Sequence, residues 1–557
     1  MPPTLPQPPA GAAVRPLAAL VVAAALVATG CSAGEDAGPT STPSPTASST
    51  PSTAVDGLPP RPDFAVQNHA WQLGSLEVVD GSATLTTTLS TRIAVPVDPV
   101  GLAPDAGFPV TILLHDRVPA CRDLAATDNP LGDRSEWPCS VFEQSHTDAL
   151  HGLATTIARQ GHVVVVPNLN VVWTEAAGQP DAPARAAQVI AATLARLSAG
   201  DDVNLDPTLL DLDHVVLAGH GVGGELANAL TAGAQGLGTP SPPRGLLLLA
   251  PSHGTLPTAT ALTDEPTVVV VAGCDGTVGV DGGDWLVEAN VAQRETPVAL
   301  ITMAGATHLG FVDATMADAG PESETPGPGC TDGQALDPVA QQEALEGLLP
   351  DAVDAILGVD RRRLFDQDRE GDELGDGLNI THLDPTVFRR VLMPTPDGEL
   401  PIGVATLRGG SSQPCLPEPA PGAGCDLRGL PGLSVAWPTA TLDFDDGGGQ
   451  VILPIGVRGR DRSIVVRVLV DPRIGNPAEP VTLSVRDAGA GTFVTVLDLE
   501  PQPVTLNGDP DDPTAEGMLR WHELRIPLLA DLDAVIVEAA RPGPGRLLIA
   551  AVELVGT

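Results

Sequence analysis

Tyrosine and lysine are absent from all 557 residues, and the remaining aromatics are eight Phe and six Trp. With no lysine, each of the 29 cationic side chains is Arg, and the P-loop lysine of a phosphate-binding Walker motif is missing. No cofactor is expected. Positive charge is itself scarce: 70 Asp and Glu leave a net charge of −41. A field of that sign repels phosphate backbones and anionic headgroups, which excludes nucleic acid and polybasic membrane docking. Seven cysteines include no C-x-x-C pair and no Cys/His cluster with zinc spacing. Apolar runs stop well short of a bilayer; the longest near the start, Leu17 to Val27, cannot span one as a helix. Sixty Gly and 57 Pro lack a fixed period, so the chain is not collagen-like, and 43% hydrophobic residues are enough to fill more than one core.

That early run follows Arg15 and ends in Ala28-Thr29-Gly30-Cys31, so residues 1–30 read as a signal peptide. Gly directly before Cys at such a place resembles the lipobox of bacterial lipoproteins, although Ala28 stands where that family usually has Leu. The resemblance implies cleavage before Cys31 and diacylation of its thiol. Residues 31–62 are rich in Ser, Thr and Pro and suit an extended, solvated tether. The expected location is the extracytoplasmic face of a bacterial membrane, touched only through the lipid, and the expected state is a monomer. The other six cysteines form an even set in an exported chain, which argues for disulfides. Fifteen connectivities are open to six cysteines. The simplest joins neighbours as Cys121–Cys139, Cys274–Cys330 and Cys415–Cys425.

From 63 to 358, short Val-, Leu- and Ile-rich runs alternate with helical stretches. PVTILLH from Pro109, VVVVP from Val163, HVVLAGH from His214, GLLLLAP from Gly245, TVVVVAG from Thr267 and PVALITMAG from Pro297 read as strands. Strands without polar alternation are buried on both faces, as in a parallel sheet. Crossover helices are expected over 149–160, 182–199, 224–236 and 285–293, an antiparallel lead-in strand over 84–97 and a closing helix over 337–358. The fold class is therefore α/β with a mostly parallel sheet. Residues 359–383 read as an acidic linker. From 384 to 557 the strands are short and two-periodic, with Gly, Pro and Asp between them, which suggests a C-terminal all-β, jelly-roll-like sandwich.

The motif that carries chemistry follows HVVLAGH. Gly219-His220-Gly221-Val222-Gly223-Gly224-Glu225 leads from a strand through a tight turn into a helix, the setting of a G-x-S-x-G nucleophile elbow. Asp275 follows the next-but-one strand and His308 the last, giving the order nucleophile, acid, base. In these features the chain resembles the α/β-hydrolase superfamily, in particular secreted bacterial proteins related to dienelactone hydrolases, cutinases and polyester hydrolases. These have a His-Gly-Arg oxyanion segment, an early Cys pair, a Gly-His-Ser-x-Gly-Gly-Glu elbow and a Cys-Asp-Gly acid turn. The resemblance covers residues 63–358. It implies that Asp275 orients His308 as base and that the N–H groups of Val222 and Arg117 face the oxyanion. The connection from Pro251 to Thr267 is too short for a large lid, and an open cleft suits an ester-like or polymeric ligand.

Two departures fall on that chemistry. Gly221 occupies the nucleophile position and offers no hydroxyl. Asp116 stands where the family has Gly after His115, and a carboxylate beside the oxyanion hole opposes the charge that an acyl-transfer transition state develops. The expected protein is a catalytically degenerate hydrolase that binds rather than turns over. Three alternatives keep it active: water activated directly by His308, Ser252 as a displaced nucleophile, or a one-base misreading of a Ser codon at Gly221. A third kind of function would lie in the C-terminal sandwich, which looks like carbohydrate-binding jelly rolls, although Trp437 and Trp521 are too few to make a sugar platform. Asp366, Asp368, Glu370 and Asp372 begin like a calcium loop but lack its twelfth-position Glu, and they read as solvated linker. His69, His146, His151, His162, His253, His382 and His522 are scattered and suggest no metal set.

Overall fold

The computed structural model describes residues 63–556, with internal breaks that include 122–136, 288–295, 313–334, 366–372, 393–405, 417–424, 427–438 and 500–520. The signal peptide, Cys31, the tether, Cys330, the four candidate calcium residues, Trp437 and most of the helix expected at 285–293 lie outside the described residues.

The polypeptide enters through a long hairpin, β1 (Ala65–Asp80) and β2 (Ala83–Val97), and then builds β3 (Phe108–Leu114), β4 (Val163–Pro167), β5 (Leu210–His220), β6 (Gly245–Leu249), β7 (Thr267–Ala272) and β8 (Val298–Met303). These strands form one sheet in the order β1-β2-β4-β3-β5-β6-β7-β8. The six from β4 to β8 run parallel, and β1 and β2 are antiparallel. Consecutive residues of a strand serve opposite faces. Leu246 and Leu248 join the core beneath α3 (Ala182–Ala199) and α4 (Val222–Ala232), whereas Leu247 and Leu249 join the core beneath α1 (His151–Ala158) and α5 (Pro338–Ile356). A short helix, α2 (Asn170–Trp173), precedes α3. A parallel sheet with helices on both faces, a leading antiparallel hairpin and this strand order is the α/β-hydrolase fold. No helix among the described residues is long and apolar enough to cross a membrane.

The sheet does not stop at β8. β10 (Leu378–Asp384) pairs antiparallel with β8, and β9 (Glu373–Gly375) pairs with β10. Part of the stretch read as an acidic linker is thus sheet. Its sequence, Leu378-Asn-Ile-Thr-His-Leu-Asp384, alternates apolar and polar residues except at Thr381-His382, where the register with β8 shifts. From residue 388 onward the strands form two further sheets, antiparallel apart from the pairing of 414–416 with 425–426. Leu442, Ile464, Val466 and Leu547 from one and Val451, Leu483, Val485 and Val537 from the other share a single core, making a two-sheet sandwich. The α/β part and the sandwich belong to one compact unit. Arg525 of the sandwich, itself buried, donates from Nη1 to the carbonyl of Phe365 at 3.4 Å.

Cys121 and Cys139 are joined as a disulfide. Cys274 is also disulfide-bonded. Cys415 and Cys425 are register partners on adjacent parallel strands.

The entry hairpin is pinned by a fully buried arginine. Arg185, in the first turns of α3, donates from Nε to Asp80 Oδ2 at 2.7 Å and from Nη1 to the carbonyls of Thr174 at 2.7 Å and Val171 at 3.3 Å. Removing Arg185 leaves Asp80 without its counter-charge, the carbonyls of Val171 and Thr174 without this donor, and a cavity where the side chain was. Arg185→Ala is expected to cost about 3–5 kcal/mol, read as a lowered urea midpoint; an unchanged midpoint would show that the hairpin is held by its backbone ladder alone.

Candidate active site

The site lies at the carboxyl ends of β3, β5, β7 and β8, where open α/β sheets gather functional groups. Strand β5 enters a turn at Gly221 (φ 57°, ψ −127°), which caps α4. That left-handed conformation costs Gly little and a side chain more. Gly223 is required for a different reason: a Cβ there would fall 2.5 and 2.6 Å from the carbonyl oxygens of Leu114 and His115. The helix packs this closely on β3 because no side chain intervenes. The run Gly219 to Gly224 also satisfies the spacing G-x-G-x-x-G, but the helix N-terminal N–H that a pyrophosphate would need is already occupied.

Its occupant is Asp116. One carboxylate oxygen, Oδ1, accepts from the backbone N–H of Val222 and of Arg117, each at 2.7 Å. The other, Oδ2, lies 3.1 Å from His308 Nε2. Both N–H groups expected to face a substrate oxyanion therefore face a carboxylate of the chain itself. A Cβ placed on Gly221 would come no farther than 2.7 Å from Cγ and both oxygens of Asp116. The two departures seen in the sequence are one feature in space, since Asp116 fills the volume from which the elbow side chain is missing. The guanidinium of Arg117 turns away and pairs with Glu175 at 2.9 Å.

His308 stands between two carboxylates. Its Nδ1 lies 2.9 Å from Asp275 Oδ2, and Asp275 Oδ1 accepts from the N–H groups of Thr277 and Val278 at 2.8 Å each. The side chains of His308 and Asp275 are buried, at 1% and 0% exposure, whereas Asp116 retains 17%. Burial opposes a charge on His308, but the hydrogen bonds to Asp116 and Asp275 outweigh it and raise its pKa to about 10. Burial would likewise raise the carboxyl of Asp116. The hydrogen bond and charge of His308 prevail, and Asp116 is held well below the usual carboxylate range. The result is an Asp275–His308–Asp116 chain, buried except at Asp116, in which both neighbours of His308 favour its protonated form.

Residues around the chain fix its geometry. The buried Gln341 of α5 accepts from the N–H of Thr307 and donates to its carbonyl, each at 3.0 Å, which holds the turn before His308. His115 accepts at Nε2 from Leu169 N–H at 2.8 Å and donates from Nδ1 to the carbonyl of Asp116 at 2.8 Å. Burial and the neighbouring His146 push its pKa down to about 3, so it remains the neutral imidazole that this pattern needs. His220 packs on His308 with ring centroids 4.3 Å apart, and burial and His308 lower its pKa to about 4. Ser252 plays no part in the chain. Its hydroxyl donates to Glu225 Oε2 at 2.7 Å, and Glu225 also accepts from the N–H groups of Thr255 and Leu256. Sequence reasoning did not single out His220 or Gln341. Only the place of His220 inside the elbow motif signalled it; Gln341 carries no motif.

No family model matches the sequence, and neither does any curated protein. Among solved structures, the chain is similar to a ferulic acid esterase from Streptomyces cinnamoneus, at 13% identity over 57% of this chain and 97% of that one, with a TM-score of 0.36. A thermostable esterase from Pseudomonas putida is similar at 16% identity, over 53% and 83%, with a TM-score of 0.30. A thermostable carboxylesterase from a metagenomic library is similar at 15% identity, over 54% and 90%, with a TM-score of 0.30.

The raised pKa of His308 makes a signed prediction. An unfolded His titrates near pH 6.5, so folding takes up a proton at His308 between about pH 6.5 and 10. Its stabilising contribution is complete below about pH 6.5 and is lost as the pH rises through about 10. The Tm difference between the wild type and His308→Gln is expected to shrink steadily across that window; a constant difference would contradict the ion chain.

Proposed function

We propose that this is an extracytoplasmic, lipid-anchored α/β-hydrolase-fold protein that is catalytically degenerate for serine-type ester hydrolysis and serves as a binding protein. The observation that carries the reading is the Asp116 carboxylate, which occupies both the nucleophile's volume and the two oxyanion N–H groups. Each consequence removes a different part of acyl transfer. No hydroxyl is present at Gly221 to form an acyl-enzyme. Neither N–H group of the hole is free for a tetrahedral intermediate, since both already donate to the Asp116 carboxylate. His308 carries its proton at rest and so begins as an acid rather than a base. The remaining function is recognition of an ester-like or polymeric ligand at the mouth of the site, or of a surface ligand by the sandwich. The lipobox-like Gly30-Cys31 supports membrane anchoring.

Assays with p-nitrophenyl butyrate test the catalytic part. The wild type is expected to be silent. Gly221→Ser is expected to be silent too, because the new Cβ meets Asp116. Asp116→Gly combined with Gly221→Ser clears the hole and restores the hydroxyl, and should exceed the wild type by at least about 10³-fold, a part of what a complete triad supplies. Wild-type turnover that disappears in His308→Ala would overturn the reading, as would recovery by Gly221→Ser alone. For the anchor, labelled palmitate should enter the wild type and not Cys31→Ala; equal labelling would remove Cys31 as the lipidated residue.

A further inference from the structure

His220 holds a buried atom that no neighbour satisfies. His220 is 2% exposed, and its Nε2 lies 3.1 Å from the carbonyl oxygen of His308. A carbonyl only accepts, so Nε2 bears the proton and Nδ1 keeps its lone pair. That Nδ1 is buried without a hydrogen-bond partner. An unsatisfied buried acceptor costs about 1–3 kcal/mol and calls for a reason.

The neighbours supply one. Asp116, His220 and His308 each bring one ligand-type atom to within 4.8 Å of the others. His308 Nε2 and Asp116 Oδ2, 3.1 Å apart, already have the spacing of two ligands on one ion, since bonds of about 2.0–2.1 Å in a tetrahedral shell put ligand atoms roughly 3.3 Å apart. His220 must close by at most about an ångström and a half to complete the set. Two imidazoles and one carboxylate suit zinc and its first-row neighbours, and not magnesium or calcium, which take oxygen.

The far side of every ligand is also held, as in metal sites with an ordered outer shell. Asp275 accepts from His308 Nδ1, the His308 carbonyl accepts from His220 Nε2, and the N–H groups of Val222 and Arg117 fix Asp116 Oδ1. The partial exposure of Asp116 gives an ion a way in and leaves one position for solvent.

We propose that Asp116, His220 and His308 form a binding site for a divalent transition-metal ion of the zinc class. The ion takes the place of the proton between His308 Nε2 and Asp116, and that proton leaves to solvent. The site goes beyond the degenerate-esterase reading and stands independently of it: ester turnover by metal-free protein bears on that reading alone.

The test uses the purified full chain, stripped with EDTA and titrated with Co²⁺ under visible absorption. One equivalent is expected to produce intense ligand-field bands, which Zn²⁺ then displaces one for one. His220→Gln and Asp116→Asn should each abolish the bands, and Asp275→Asn, which only positions His308, should weaken binding by about 10–100-fold. Circular dichroism identifies any variant that fails to fold, and the remaining variants then decide. Absence of bands in the wild type would overturn the proposal. So would bands that persist unchanged in folded His220→Gln, since they would belong to the acidic surface of a chain with 70 carboxylates.

Discussion

The carboxylate of Asp116 is the group on which the rest of the site depends. It is the shared acceptor for two backbone N–H groups from different loops and for the imidazole of His308, so it joins the ends of β3, β5 and β8 through one side chain. Charge-assisted hydrogen bonds of this kind gain strength in a poorly solvated place, and the cost of leaving any of them unmade rises equally. Gly221 then follows as a steric requirement. A side chain at the elbow and the carboxylate of Asp116 exclude one another, and the left-handed backbone of the turn tolerates Gly readily.

On the reading proposed above, the site would be an acyl-transfer centre arrested with its charges in place. The two N–H groups hold a resident anion, and the imidazole between two carboxylates is held as a cation. A working hydrolase develops such charges only at its transition state, and preorganised dipoles give catalysis because the charge is absent beforehand. Here the same dipoles stabilise the resting protein. The metal site uses this arrangement in another way, with ligands oriented from behind by Asp275, a backbone carbonyl and two backbone N–H groups.

Much of this was legible in the sequence, because the signals were local. Unbroken Val and Leu runs gave the buried parallel strands, and the order Gly221, Asp275, His308 at the ends of β5, β7 and β8 placed the three at one edge of the sheet. Asp116 could be recognised as an intruder by its position after His115. Its direction could not, because the side chain is aimed by contacts with Val222, 106 residues away, and with His308, 192 residues away. His220 was hidden by context: as one residue of an elbow motif it had no separate signal, and only its unpaired Nδ1 in the folded protein distinguishes it. Residues 378–383 were read as linker because acidic residues crowd the stretch before them. Their two-residue alternation was outweighed by composition, although pairing with β8 is what the alternation serves.

That last strand changes what a domain means in this chain. β10 closes the open edge of β8, so the main sheet is finished by residues that follow the last helix of the α/β fold and lead directly into the sandwich. A chain cut at 358 would leave β8 with a row of bare N–H and C=O groups, the usual starting point for edge-to-edge association. The strand that finishes the main sheet is thus followed within a few residues by the first strand of the sandwich. β10 thereby ties the start of the sandwich sequence to β8, the strand that ends five residues before His308.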